Sequence, residues 1–174
     1  HSFAYRNNGD YTFTDESSRW GFTNKQFSNG AAYVDLDNDG DLDIVTNNID
    51  EKASVYKNNL NNKVKTGGNY IQLHLTGLKG NTAALGATVD ILYSGRKQTR
   101  FQSPVRGFES SVQNVLHFGL GKHTNIDSII ITWPNDLQTI LTSTNVNQLL
   151  DVNYAQSKNF ASKSSPGENS NMFT

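Results

Sequence analysis

The chain has 174 residues, of which 35% are hydrophobic and 18% are charged, and its 15 Lys and Arg nearly balance its 16 Asp and Glu. This balance argues against a strongly basic nucleic-acid-binding protein. A mean hydropathy of −0.58, with no apolar run approaching the roughly 20 residues of a transmembrane helix, argues against a membrane span. The absence of cysteine excludes disulfides, thiolate metal ligands and a cysteine nucleophile.

The first third of the chain contains a short repeat and two strand-like runs. Tyr-Arg-Asn-Asn at 5–8 recurs as Tyr-Lys-Asn-Asn at 56–59. Repeats at intervals of about 40 to 50 residues are typical of propeller blades and other arrays. Apolar residues at 31–34 and 44–46 predict two strands on either side of a polar loop.

The loop between these strands is the strongest functional signal in the sequence. Its alternating aspartates are Asp35, Asp37, Asp39, Asp41 and Asp43. Their charges repel one another strongly unless a cation lies between them. Oxygen ligands at positions one, three and five, followed by glycine at position six, are what Ca²⁺ requires of a short loop. We therefore predict a Ca²⁺ site with side-chain ligands at positions one, three, five and nine and the backbone carbonyl of Asp41 at position seven.

The segments on either side of the loop indicate which kind of calcium site is to be expected. An EF-hand requires flanking helices and a bidentate Glu at position twelve, where this chain has Thr46. The loop is therefore predicted to close a β-hairpin. A solvated acidic turn and a Mg²⁺ site are the alternatives, although Mg²⁺ seldom uses a cage made only of protein ligands.

Further along the chain, short β-branched or aromatic runs predict strands at 70–76, 87–93, 115–118 and 128–133. The stretch 145–150 has helical spacing, whereas 148–152 is equally typical of a strand. A polar segment at 61–68 predicts a domain boundary. Residues 155–174 are rich in Ser, Asn and Lys, which predicts a flexible polar tail.

The first block resembles the FG-GAP or VCBS repeats of calcium-binding β-propellers. The resemblance is carried by the segment 5–15, by 30–34 leading into the aspartate loop, and by 55–59. It implies that the loop joins two strands of one blade and that the segment 5–15 supplies the outer strand of the preceding blade. Because a closed propeller needs at least four blades, the resemblance implies a piece of a longer propeller protein.

The second block resembles the ASPIC/UnbV domain, which commonly follows such repeats. The matching segments are 69–73, 85–89, 116–121, 129–134 and 147–150. We therefore predict an all-β chain with a partial β-propeller blade and its calcium loop at 1–66, a β-sandwich-like domain at 67–154 and the tail at 155–174. The family has no settled biochemical activity, so the resemblance implies an architecture and leaves the task open.

Candidate catalytic residues in the second block are scattered. His74, His117 and His123 do not stand beside a Ser, Asp or Glu pattern that predicts a triad. The carboxylates of this block are far apart in the sequence, so only the fold could bring two of them together as a glycosidase pair. They are Asp90, Glu109, Asp127, Asp136 and Asp151. Trp133 is interpreted as a core residue, with a sugar-stacking platform as the alternative. The basic stretch of Arg96, Lys97, Arg100 and Arg106 is interpreted as a solvated sheet face, with an anion or polysaccharide site as the alternative.

These observations predict a calcium-stabilised, non-enzymatic binding and adhesion module. The calcium loop and the family resemblance predict an extracellular or cell-surface location. The expected partners are a protein or glycan at the cell surface and the rest of a propeller or a larger assembly, with no nucleic acid and no membrane span. The alternatives are a glycan-binding accessory subunit or cryptic hydrolase of a surface polysaccharide-utilisation system, and a structural connector.

Overall fold

The computed structural model describes residues 2–63 and 68–159, and within these ranges the chain forms two blocks of short β-strands. The elements of the first block are β1 Tyr5–Asn7, β2 Phe13–Asp15, β3 Ser28–Val34, β4 Asp43–Asn48, β5 Ser54–Tyr56 and the single-turn helix α1 Leu60–Lys63. The elements of the second block are β6 Asn69–Thr76, β7 Thr88–Tyr93, β8 Arg96–Phe101, β9 Val105–Gly107, β10 Ser110–Ser111, β11 Val115–Gly121, β12 Asn125–Thr132, β13 Gln138–Asn145, β14 Leu149–Asn153 and a 3₁₀-helix at Tyr154–Gln156.

The second block is a two-layered β-sandwich. One sheet has the strand order β11-β6-β14 and the other has the order β13-β12-β7-β8. Strand β14 runs parallel to β6, whereas the other neighbouring strands are antiparallel. Alternate residues of each strand face inward, so that Ile71, Leu73 and Leu75 of β6 are fully buried. They join residues of β7, β11 and β12 in one continuous apolar core. The predicted all-β class and sandwich-like domain are confirmed.

The core of the sandwich also shows why these segments form strands. The inward residues are mostly Ile, Val and Leu, which suit a pleated and half-buried surface. Each aliphatic side chain that is fully buried contributes roughly 1.5–3 kcal/mol of hydrophobic free energy. The outward positions of β6 carry Tyr70, Gln72 and His74, which leaves a polar and aromatic face free to contact the first block.

The first block has two sheets, β1-β2 and β3-β4-β5, and little apolar core. Phe22 is its buried apolar residue, whereas most buried side chains there are polar, among them Gln26, Thr46 and Asn48. Several of its aromatic side chains are exposed, namely Phe3, Tyr5, Tyr11, Phe13, Trp20 and Phe27. This composition fits the predicted partial blade, whose apolar faces are only partly covered by the described residues.

Two predictions concern the end of the chain. Residues 149–153 form β14, so the strand interpretation of 148–152 is confirmed over the helical one. The tail was predicted to start at 155, whereas the structure has residues 154–156 in a 3₁₀-helix and pairs Lys158 with Gln138 through two backbone hydrogen bonds of 2.7 and 3.0 Å. The rest of the predicted tail, 160–174, lies outside the described residues, as do residues 64–67 of the predicted domain boundary. Within the described ranges, no helix combines the length and apolar character that a membrane crossing requires.

Candidate metal site

The aspartate loop closes the hairpin formed by β3 and β4. These strands are antiparallel, and Val34 is paired with Asp43 at the end of the ladder. The loop residues 35–42 therefore project from one end of the sheet. The predicted hairpin context is confirmed, and the helix pair of an EF-hand is absent from this position.

The backbone of the loop curls around the carboxylate of Asp35. The amides of Asp39 and Gly40 donate hydrogen bonds of 3.1 Å to its Oδ1 and Oδ2, respectively. The amide of Asp41 donates to Oδ1 of Asp39 at 3.1 Å. Asn38 and Gly40 have φ angles of 58° and 87°. These left-handed conformations bend the chain sharply, and they suit Asn and Gly better than other residues.

Three of the predicted side-chain ligands lie together. One carboxylate oxygen from each of Asp35, Asp37 and Asp39 lies within 4.8 Å of the other two. Asp35 and Asp39 are partly buried and Asp37 is exposed. Carboxylates at this spacing repel one another, and hard oxygen donors in such a group suit a divalent cation.

The fourth predicted side-chain ligand, Asp43, has a different environment. It is only 2% exposed. Its Oδ2 accepts a hydrogen bond of 3.0 Å from the amide of Leu36, and its Oδ1 accepts one of 2.7 Å from the amide of Asn58. Asp43 therefore joins the start of the loop to the segment after β5, and it lies outside the group of three carboxylates that the structure brings together.

Asp41, predicted to bind through its backbone carbonyl, also buries its side chain. The residue is 5% exposed, and Oδ2 accepts a hydrogen bond of 3.0 Å from the amide of Asn61. Oδ1 is buried and has no hydrogen-bond partner among the described residues. Burial, followed by the charges of Asp39 and Asp43, raises the pKa of Asp41. A cation near the loop would offset this unfavourable charge, so the donor set fits Ca²⁺.

One positive side chain contacts the loop within the described ranges. The ammonium group of Lys57 pairs with the Asp37 carboxylate. This hydrogen bond lowers the pKa of Asp37 and raises the pKa of Lys57. Lys57 thus supplies part of the charge neutralisation, and it would compete with a cation for the same carboxylate.

The second block contacts the loop directly, which sequence reasoning missed. The Gln72 amide donates a hydrogen bond of 3.2 Å to Oδ2 of Asp35 and lies 3.4 Å from Nδ1 of His117. The Tyr70 ring stacks on the His117 ring, with centroids 5.6 Å apart and an interplanar angle of 10°. Burial, followed by the charges of Asp35 and Asp39, raises the pKa of Tyr70. The alternation of 70–76 was the signal that could have placed Tyr70 and Gln72 on one outward face.

The Tyr70 ring also lies against the glycine of the loop. A Cβ atom added to Gly40 would lie 1.9 Å from Cε1 of Tyr70. On the other side of the loop, the Asn61 side chain donates a hydrogen bond of 3.0 Å to the backbone carbonyl of Asp39. The loop is therefore held between the short helix α1 and strand β6.

The remaining candidate residues fall at other places. Trp133 is 1% exposed and donates a hydrogen bond of 3.0 Å from Nε1 to the Thr139 hydroxyl, so its interpretation as a core residue is confirmed. Lys97 pairs with Asp90 at 2.9 Å. Arg100 and Arg106 line a cleft beside the loop.

The histidines make pairs that the sequence pattern did not indicate. Nδ1 of His74 lies 2.8 Å from Oδ1 of Asp151, and Nδ1 of His123 lies 3.1 Å from the hydroxyl of Ser94. These partners are 77 and 29 residues apart in the chain, respectively. Only the fold brings them together.

Comparisons with known proteins match both blocks. Residues 2–46 match the family model of the FG-GAP-like repeat, and residues 77–159 match the family model described as ASPIC and UnbV. This order confirms the predicted architecture. No curated protein matches the chain significantly. The first match ends within β4, and the second begins after β6, although β6 belongs to the sandwich.

Proposed function

We propose that the chain is a calcium-stabilised extracellular or cell-surface module that acts by binding and adhesion. The proposal rests first on the match to an FG-GAP-like repeat followed by an ASPIC and UnbV domain. The observation that supports this proposal most strongly is the group of Asp35, Asp37 and Asp39 at the hairpin. The buried and unpartnered oxygen of Asp41 adds a second reason for a cation there. When bound, Ca²⁺ would supply the positive charge that these carboxylates lack.

The proposed role of the ion is structural. Asp35 accepts hydrogen bonds from the loop backbone and from Gln72 of the second block. Charge neutralisation at the loop therefore favours both the hairpin and its contact with β6. Sites of extracellular modules bind Ca²⁺ with dissociation constants of roughly 10⁻⁴ to 10⁻³ M, which suits the high calcium concentration outside cells.

The positions of the histidine pairs do not fit one catalytic arrangement, a single Ser-His-Asp triad built from both pairs. The Asn69 side chain donates a hydrogen bond of 3.0 Å to the His123 carbonyl, which places the Ser94–His123 pair near the start of β6. His74 lies five residues further along that strand, about 17 Å away at the rise of a β-strand, and Asp151 lies beside it on β14. The two pairs are therefore too far apart to act as one Ser-His-Asp triad.

The proposed partners are a protein or glycan at the cell surface and further propeller blades or a larger assembly. The exposed aromatic side chains of the first block support this proposal. Phe3, Tyr5 and Phe13 are 61%, 57% and 63% exposed. Large apolar side chains that cluster at a surface are typical of interaction sites.

Thermal unfolding with calcium or with a chelator tests the structural role of the ion. A ligand at about 100 times its dissociation constant stabilises the folded state by about 2.7 kcal/mol. In a domain of about 150 to 250 residues, this free energy corresponds to a rise in Tm of roughly 5–11 °C. We expect a rise of this size in the full chain on addition of calcium.

Two matched variants identify the site. Asp39→Asn removes one charge from the loop but keeps an oxygen that can accept the Asp41 amide. Asp127→Asn removes the same charge from an exposed position of β12. The Asp39 variant should lose most of the calcium-dependent rise, and the Asp127 variant should keep it. Equal rises in both variants, or no rise in the unmodified chain, would contradict the proposal.

A further inference from the structure

A cleft of about 160 Å³ lies beside the aspartate loop, where the first block meets the sandwich. Tyr33 of β3 and Leu42 of the loop line one side of the cleft. Arg100 and Arg106 of the second block also line it, together with Gln113 and His117. The cleft is therefore built from both blocks and does not belong to the carboxylate cluster itself.

The orientation of Arg100 follows from its strand. Side chains alternate between the two faces of β8, so Arg100 shares a face with Gln98. The Gln98 amide donates a hydrogen bond of 2.8 Å to the Gly119 carbonyl of β11. Arg100 therefore faces the sheet that carries His117. The guanidinium of Arg106 donates a hydrogen bond to the Phe101 carbonyl, which holds this side chain near the end of β8.

The cleft is rich in hydrogen-bond donors and has no acidic lining. None of the residues that line it is Asp or Glu. Neither arginine has an ion-pair partner within the described part of the chain. When the Gln72 amide donates to Nδ1 of His117, Nε2 carries the ring proton and adds a further donor. Two guanidinium groups without an ion-pair partner in the described part of the chain favour a ligand with a carboxylate or similar anionic group.

We propose that this cleft binds the anionic unit of an acidic polysaccharide, a sugar acid whose carboxylate pairs with Arg100 and Arg106. This inference rests on the proposed function as a binding module and names its ligand class. Tyr33, Ser103 and Gln113 also line the cleft and offer partners for the hydroxyl groups of a sugar ring. The aliphatic lining suits the apolar face of the ring and consists of Leu42, Val112, Val115 and Leu116. An acidic peptide side chain would pair with the arginines and pack its stem on the aliphatic lining, but it has no hydroxyl groups for Tyr33, Ser103 and Gln113.

Calorimetric titration of the full chain at fixed ionic strength and saturating calcium tests the proposal. The probe is trigalacturonate, an oligogalacturonate too short for calcium to cross-link, and the matched ligand control is the same oligosaccharide with its carboxylates methyl-esterified. The heat of each ligand added to the same calcium buffer without protein is subtracted. A polyglutamate peptide of similar charge tests the peptide alternative. We expect binding of the oligogalacturonate and at least about tenfold weaker binding of the other two ligands, because only the first combines carboxylates with sugar hydroxyls.

The protein variants separate a specific cleft from general charge attraction. Arg100→Gln removes one charge from the cleft, and Arg96→Gln removes the same charge four residues away on β8, about 14 Å along the strand. Arg100→Gln should weaken oligogalacturonate binding at least about tenfold. Arg96→Gln should change binding less than twofold. Arg106→Gln should also weaken binding, and its Tm measured in parallel shows whether the variant remains folded.

The other outcomes overturn either this proposal or the function on which it rests. Equal weakening by Arg96→Gln and Arg100→Gln would show only general charge attraction. Equal binding of the methyl ester would exclude recognition of the carboxylate, and tighter binding of polyglutamate would assign the cleft to an acidic peptide. Absence of oligogalacturonate binding while the chain retains its calcium-dependent rise in Tm would refute the cleft proposal alone. Loss of that rise in the unmodified chain would instead refute the calcium-dependent function.

Discussion

The contact between Tyr70 and Gly40 gives a quantitative test of how the second block meets the aspartate loop. Gly40 has a φ angle of 87°, and an added Cβ atom would lie 1.9 Å from Cε1 of Tyr70. The left-handed backbone alone costs an alanine about 1–2 kcal/mol. The ring must also move, although it stacks on His117. Displacement of a packed side chain typically costs a further 1–3 kcal/mol.

We therefore expect Gly40→Ala to lower the free energy of unfolding by about 2–5 kcal/mol. Gly21→Ala is the matched control, because Gly21 has a φ angle of 88° and no atom within 4 Å of the added Cβ. It should lose only the backbone cost of about 1–2 kcal/mol. Chemical denaturation followed by circular dichroism measures both values.

A double-mutant cycle isolates the contact itself. Tyr70→Ala removes the ring, so Gly40→Ala in that background should cost no more than Gly21→Ala. The coupling between the two positions should then be about 1–3 kcal/mol. If Gly40→Ala and Gly21→Ala destabilise the chain equally, the Tyr70 ring does not rest against the loop and the reasoning is refuted.

Three further predictions concern the core, the acidic range and the loop charge. Trp133→Ala should lower the free energy of unfolding by about 3–5 kcal/mol, because it leaves a cavity beneath Tyr154 and an unpaired Thr139 hydroxyl; a loss below about 1 kcal/mol in denaturation would contradict the core assignment. Burial lowers the pKa of His117, against the opposing charge of Asp35 and with a smaller contribution from Arg100. The unfolded chain then binds more protons than the folded chain just below pH 6.5, so the free energy of unfolding should fall as the pH decreases through this value. His117→Gln should reduce this dependence on pH, and an unchanged dependence in the variant would contradict the role of His117. Lys57→Met removes the cation paired with Asp37 and should tighten calcium binding in calorimetry; weaker binding would contradict competition for that carboxylate.

The aspartate loop could be predicted from the sequence because its geometry is formed by residues that are close together in the chain. Asp35, Asp37 and Asp39 alternate along a tight turn with Gly40 next to them, so their oxygens meet almost independently of the rest of the fold. The alternation of 70–76 likewise predicted a strand, since a pleated strand places every second residue in the core.

The tertiary part of the site depends on contacts that no local pattern specifies. The amides of Asn58 and Asn61 reach Asp43 and Asp41 from 15 and 20 residues away, and Gln72 reaches Asp35 from 37 residues away. Each of these contacts follows from how the blocks pack. The same holds for the two arginines of the cleft, which the sequence showed only as part of a basic stretch.

Calcium calorimetry on the full chain and on Asp35→Asn is the most direct test for a cation site at the aspartate loop. The carboxylate of Asp35 belongs to the group of three and also accepts hydrogen bonds from the loop and from Gln72. We expect one calcium ion to bind per chain and Asp35→Asn to weaken binding by at least about tenfold, because a charged ligand is lost. Unchanged affinity in Asp35→Asn, with Asp127→Asn behaving identically, would contradict a cation site at the aspartate loop.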